Sequence, residues 1–72
     1  MYDAARELMA DAFNVELTLI SDDASLGQAP GWDSMGHLRL VLAIEEARGI
    51  ELPPEEVVTI RSFADVVRQL GG

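Results

Sequence analysis

Seventy-two residues, thirteen acids against five bases, a formal charge of −8 and no cysteine set tight bounds on this chain. So short a chain buries only about 60% of the surface its unfolded form exposes. With no thiol and one histidine, it has neither a disulfide nor a thiolate or histidine-rich metal site to reinforce it, so it must stand on helix packing.

The charge disfavours phosphate backbones and anionic membrane surfaces, which excludes nucleic acid as a partner. Basic protein surfaces are the natural complement, although acidity also serves solubility alone. No apolar run approaches the roughly 20 residues of a membrane span. The opening MYDAAREL lacks a signal-peptide core. The chain is expected to be a cytoplasmic monomer, one domain over residues 1–72, and a cysteine-free composition fits a reducing compartment.

The first helix is predicted over about Tyr2 to Asn14. Ala5, Leu8, Met9, Ala12 and Phe13 share one face, Asp3 and Glu7 favour the positive end of the dipole, and Asn14 is a suitable stop. Residues 15–33 then break the pattern. Asp22, Asp23 and Ser25 favour turns, and Gly27, Pro30 and Gly31 punctuate the rest. Leu17, Leu19 and Ile20 are expected to tack this segment onto the core. VELTL resembles a strand but has nothing to pair with. Loops beyond about 12–15 residues are uncommon unless functional or disordered.

The second helix is predicted from Ser34 to Arg48, closed by Gly49 in the left-handed conformation. Met35, Leu38, Val41 and Leu42 form one apolar side and Leu40, Ile44 and Ala47 another, so a central helix sandwiched between neighbours is expected. Pro54 suits the first position of a short third helix through about Val58, with Glu55 and Glu56 in its first turn. Ser62, with Asp65 three residues on, opens a fourth helix whose apolar side is Phe63, Val66, Val67 and Leu70. The fold expected is all-α: a small four-helix bundle of three longer helices and one short one, with a long loop between the first two.

Few residues suggest chemistry. Ser34 and His37 lie three apart on one helix, close enough for a nucleophile and base. A domain this small offers no deep pocket and no evident oxyanion hole, so His37 reads better as a partly exposed helix residue and no catalytic residue is assigned. A calcium loop counted from Asp22 would put Gly27 and Asp33 in register but Ala24 and Leu26 where oxygen ligands belong, so no metal site is assigned. Trp32 either contacts a partner or, the favoured reading, pins the loop to the core. Asp33 and Ser34 are both good helix caps, and one is redundant. If Asp33 caps, Ser34 is freed at a helix N-terminus, where a covalently attached phosphate is well accommodated.

The stretch GWDSMGHLRLVLAIEE resembles the acyl carrier protein family, the phosphopantetheine-attachment domains. The family's Asp-Ser-Leu appears as Asp33-Ser34-Met35, followed by Leu38, Val41, Leu42 and Ile44-Glu45-Glu46. Length, acidity, the long first loop, Gly-Ile-Glu-Leu-Pro and the final helix extend the resemblance over the whole chain. It implies a carrier, not an enzyme. Ser34 would receive 4′-phosphopantetheine from coenzyme A through a magnesium-dependent phosphopantetheinyl transferase. The arm's thiol would hold acyl or aminoacyl groups as thioesters, loaded by a ligase and delivered to synthases or transferases with basic docking patches. Leu38, Leu42, Ile60 and Phe63 would line a sheltered cargo space or be plain core. Met35 would meet partners or be buried. Glu45, Glu46, Glu55 and Glu56 would complete the partner face. Arg39 departs from the family's acidic pattern and suggests a carrier for a dedicated fatty acid, polyketide or related pathway. Aminoacyl, D-alanyl or peptidyl cargo fits the same scaffold. An acidic helical adaptor with Ser34 as a mere cap is the remaining alternative.

Overall fold

The computed structural model describes residues 2–71. Its helices are α1 (Tyr2–Phe13), α2 (Ser34–Arg48), α3 (Pro54–Val57) and α4 (Phe63–Gln69), with a 3-10 turn at Leu17–Leu19. No strand occurs among the described residues, only an isolated antiparallel bridge between Ser25 and Ser62. The expected all-α bundle is the observed architecture.

Local chemistry sets the helix ends. Asn14 adopts φ 57°, and the Val15 N–H returns to the Ala10 carbonyl at 3.0 Å, closing α1 as a Schellman end. Gly49 does the same for α2 with φ 69°, and the Ile50 N–H reaches the Glu45 carbonyl at 3.1 Å. Pro54 opens α3, where its missing N–H costs nothing. At α4 the Ser62 hydroxyl accepts from the Asp65 N–H at 3.2 Å.

The apolar side of α1 goes inward as its spacing predicts: Ala5, Met9, Ala12 and Phe13 are buried and Leu8 half-buried. Phe63, Val66 and Val67 of α4 meet them in one core with Leu40 and Ile44 of α2, Ile20, Trp32 and Ile60. α2 differs from its expected role. Gly36, Leu40, Val41 and Ile44 are covered, but Met35, Leu38 and Leu42 are 57%, 52% and 56% exposed. The helix is covered on one side only, because α1 lies against it and no described element covers the face of Met35, Leu38 and Leu42.

The long loop is also anchored differently. Leu17 and Leu19 are exposed and only Ile20 enters the core, because the 3-10 turn swings both leucines outward. Polar contacts supply the rest. The Arg6 guanidinium donates to the Ile20 carbonyl and the Asp22 carboxylate, and lies 4.9 Å from the Phe63 ring centroid. Further on, the Leu26 N–H donates to the Arg61 carbonyl and the Phe63 N–H to the Ala24 carbonyl, each at 2.9 Å. The loop is thereby tied to α1 at one point and to the start of α4 at another.

Asp65 holds that second anchor together. Its carboxylate accepts from the Arg61 N–H and the Ser62 hydroxyl, each at 3.0 Å, and pairs with Arg68. Burial alone would raise its pKa, but these donors outweigh burial and hold the carboxyl below the usual aspartate value. Such a group stabilises the fold above its unfolded pKa of about 3.9, and that contribution is lost as pH falls through the folded value. Asp65→Asn should therefore lower stability at pH 7 and progressively less below about pH 4. Urea unfolding at several pH values checks this; an undiminished deficit at pH 3 would contradict it.

Candidate functional site

Three chain segments meet at the head of α2, and two of them meet through glycines that have no side chain to hold them apart. A Cβ added at Gly36 would stand 1.8 Å from the Gly31 carbonyl oxygen, and one added at Gly31 would stand 2.7 Å from Phe13 Cβ. Gly31 also has φ 80°, which favours glycine. The end of α1, the end of the loop and the first turn of α2 are thus locked at contact distance.

Trp32 seals this junction from below. It is 1% exposed, and its ring centroid lies 5.4 Å from that of Phe13. The favoured reading, that Trp32 pins the loop to the core, matches this placement.

Asp33 is the N-cap. Its Oδ1 accepts from the Gly36 N–H at 2.8 Å, and its carbonyl takes the His37 N–H at 2.8 Å. Ser34, at the first helical position, is therefore released from capping and is exposed. Among the described residues neither its N–H nor that of Met35 has a hydrogen-bond partner, as is usual for the first N–H groups at the positive end of a helix dipole. An exposed hydroxyl beside two open N–H donors fits a phosphodiester attached at Ser34.

His37 is not a base for this serine. Its Nδ1 accepts from the Trp32 indole N–H at 3.0 Å, and its Nε2 lies 3.2 Å from the Val57 carbonyl oxygen. With both ring nitrogens engaged elsewhere, Ser34 has no activating partner, and the arrangement suits a residue that another enzyme modifies.

Ser34, Leu38 and Leu42 follow one another at four-residue spacing, and Met35 and Arg39 lie beside them. All five are exposed, so one open apolar face runs down α2 from the serine. Leu38 and Leu42 therefore do not line an interior cargo space, whereas Ile60 and Phe63 are core, 0% and 3% exposed. Among the described residues Arg39 makes no ion pair. The expected acidic partner face divides. Glu46 and Glu55 are exposed; Glu45 is half-buried, its Oε2 accepting from the Leu52 N–H at 2.8 Å; Glu56 accepts from the Gln69 amide at 3.0 Å. Arg6, Gly36 and the Trp32–His37 contact were not picked out by sequence reasoning. The unusual glycine right after Ser34-Met35, in an otherwise good helix, was the one available signal.

The phosphopantetheine attachment site family matches residues 3–70. An acyl carrier protein of Wolinella succinogenes is 31% identical over 70 residues, covering 97% of this chain and 92% of that protein. No described helix is long and apolar enough to cross a membrane.

Gly36 supplies a test of the junction. Alanine ordinarily gains about 1 kcal/mol over glycine inside a helix. Here the added carbon would strike a backbone oxygen, and overpacking of this kind costs about 1–3 kcal/mol, occasionally more. Gly36→Ala should therefore be destabilising by about 1–3 kcal/mol in urea unfolding; a stabilised variant would show that the junction is loose.

Proposed function

The chain belongs to the acyl carrier protein family of phosphopantetheine-attachment domains, and from that membership we propose that Ser34 bears the prosthetic group and that the open face of α2 presents its cargo to partner enzymes. The group is 4′-phosphopantetheine, and members of the family carry rather than catalyse. Its thiol holds acyl groups as thioesters. The observation that supports Ser34 most directly is that Asp33 does the capping, which leaves the neighbouring hydroxyl exposed at a helix N-terminus.

The reaction at Ser34 belongs to a separate phosphopantetheinyl transferase. A bond forms from Ser34 Oγ to the phosphate that bears pantetheine, the pyrophosphate bond of coenzyme A breaks, and 3′,5′-ADP leaves. The serine proton passes to a base that this chain does not supply. The chain's own part is to hold the hydroxyl outward on a fixed helix end, with the Ser34 and Met35 N–H groups free to receive phosphate oxygens. Tethering then raises the cargo's effective concentration at each docked enzyme.

The acyl cargo belongs to a dedicated fatty acid, polyketide or related pathway. Support comes from Arg39, a cation without an ion pair among the described residues, on an apolar face beside Ser34 within a chain of charge −8. Partners that meet this face need an apolar surface and an acidic group opposite Arg39, while the exposed Glu46, Glu55 and Glu56 suit basic patches around it.

Incubation with coenzyme A and a broad-specificity transferase should add the mass of one phosphopantetheine, and Ser34→Ala should abolish the gain. Labelling that survives Ser34→Ala would overturn the assignment. Ligase loading, read by mass, then separates acyl from aminoacyl, D-alanyl or peptidyl cargo.

Arg39→Glu should raise kcat/KM with enzymes of primary fatty acid synthesis by up to about tenfold, the lower end of electrostatic steering, with the gain fading at high salt. Unchanged rates would remove the argument for a dedicated pathway.

A further inference from the structure

The chain's single tryptophan and single histidine are hydrogen-bonded to each other, two residues before and three residues after Ser34. The chemistry of the contact fixes the tautomer. An indole N–H can only donate, so His37 Nδ1 must be bare; a carbonyl can only accept, so Nε2 must carry the hydrogen that reaches Val57. The relay Trp32 to His37 to Val57 thus requires a neutral imidazole.

Its position gives this requirement a consequence. Among the described residues no other hydrogen bond joins α2 to α3. The imidazole and Leu26 stand between two surface hollows. One, of about 550 Å³, is bounded by Trp32, Asp33 and Ser34. The other, of about 510 Å³, is bounded by Val57, Val58 and Arg61. We propose that His37 is a positioning residue for the modification site: its neutral ring sets the spacing between the head of α2 and α3, and its protonation releases that spacing.

The charges around the ring are few. The head of α2 brings Asp33, whose Oδ1 is engaged by the Gly36 N–H. The connection after α3 brings Arg61. The loop brings Leu26 and Trp32, α3 brings Val57 and the residue that caps its end brings Val58 to these walls, all uncharged. Among the described residues no carboxylate bonds the ring, whose partners are the Trp32 indole and the Val57 carbonyl. A proton on Nδ1 would set two N–H donors face to face, and Trp32 is too deeply buried for water to take the indole N–H.

The functional half of the proposal rests on modification at Ser34, and the experiment separates the two. Imidazole nitrogen shifts and the Trp32 indole N–H signal are followed by NMR on the whole protein over about pH 5 to 8. That arm needs no variant. In parallel, kcat/KM for phosphopantetheinyl transfer is compared between the native chain and His37→Gln at each pH, so that the transferase's own titrations cancel in the ratio. The expected result is the Nε2–H tautomer at pH 8, an indole signal that moves with the imidazole, and a native-to-variant ratio that falls by about fivefold toward low pH, the equivalent of one ordinary hydrogen bond. An Nδ1–H tautomer, an indifferent indole signal or a flat ratio would overturn the proposal while leaving Ser34 as the attachment site. No transfer at any pH would overturn both.

Discussion

The head of α2 depends on a close approach that only glycine permits at two positions. Phe13, Gly31 and Gly36 bring three backbone segments so close that a single added carbon at Gly36 would fall 1.8 Å from the Gly31 oxygen. That contact fixes where the long loop ends, and therefore where α2 begins. Trp32 then has one way to enter the core, Asp33 one way to cap, and Ser34 is left outside. The exposed hydroxyl is a by-product of packing beneath it.

A carrier has different needs from an enzyme, and the charges and exposures follow them. Among the described residues no side chain hydrogen-bonds Ser34, and the one imidazole of the chain is committed to Trp32 and Val57. What is arranged is access: a capped helix end, two open N–H groups and an unpartnered apolar face that begins at the serine. Apolar side chains this exposed on so small a protein are costly unless something covers them in use. A carrier that docks on successive enzymes supplies that cover in turn.

Much of this was legible in the sequence wherever the cause is local. Asn14, Gly49 and Pro54 end or begin helices because of their own backbone chemistry, Ser62 because of its hydroxyl, and the spacing of Ala5, Met9 and Phe13 already marks the buried side of α1. The redundancy of Asp33 and Ser34 pointed to a freed hydroxyl before any geometry. Periodicity failed where the answer depends on what lies across from a face. α2 has two apolar sides, and nothing in its pattern says that Leu40, Ile44 and Val41 are covered while Met35, Leu38 and Leu42 stay open. Likewise, Leu17 and Leu19 look like anchors, but the anchoring is done by Arg6, fourteen residues from its partner Ile20. Glu45 reads as a surface acid until the Leu52 N–H is found on it.

The central claim is that the head of α2 is a preformed platform, rigid beneath Ser34 and open above it. Amide NMR spectra of the unmodified and phosphopantetheine-bearing protein, compared at one neutral pH, test this directly. The account predicts that modification moves the amide signals of Ser34, Met35 and their exposed neighbours, and leaves those of Phe13, Gly31, Leu40 and Ile44 in place. Shifts spread through α1 and the buried side of α2 would contradict it, because the platform would then be remade by the group it is meant to hold.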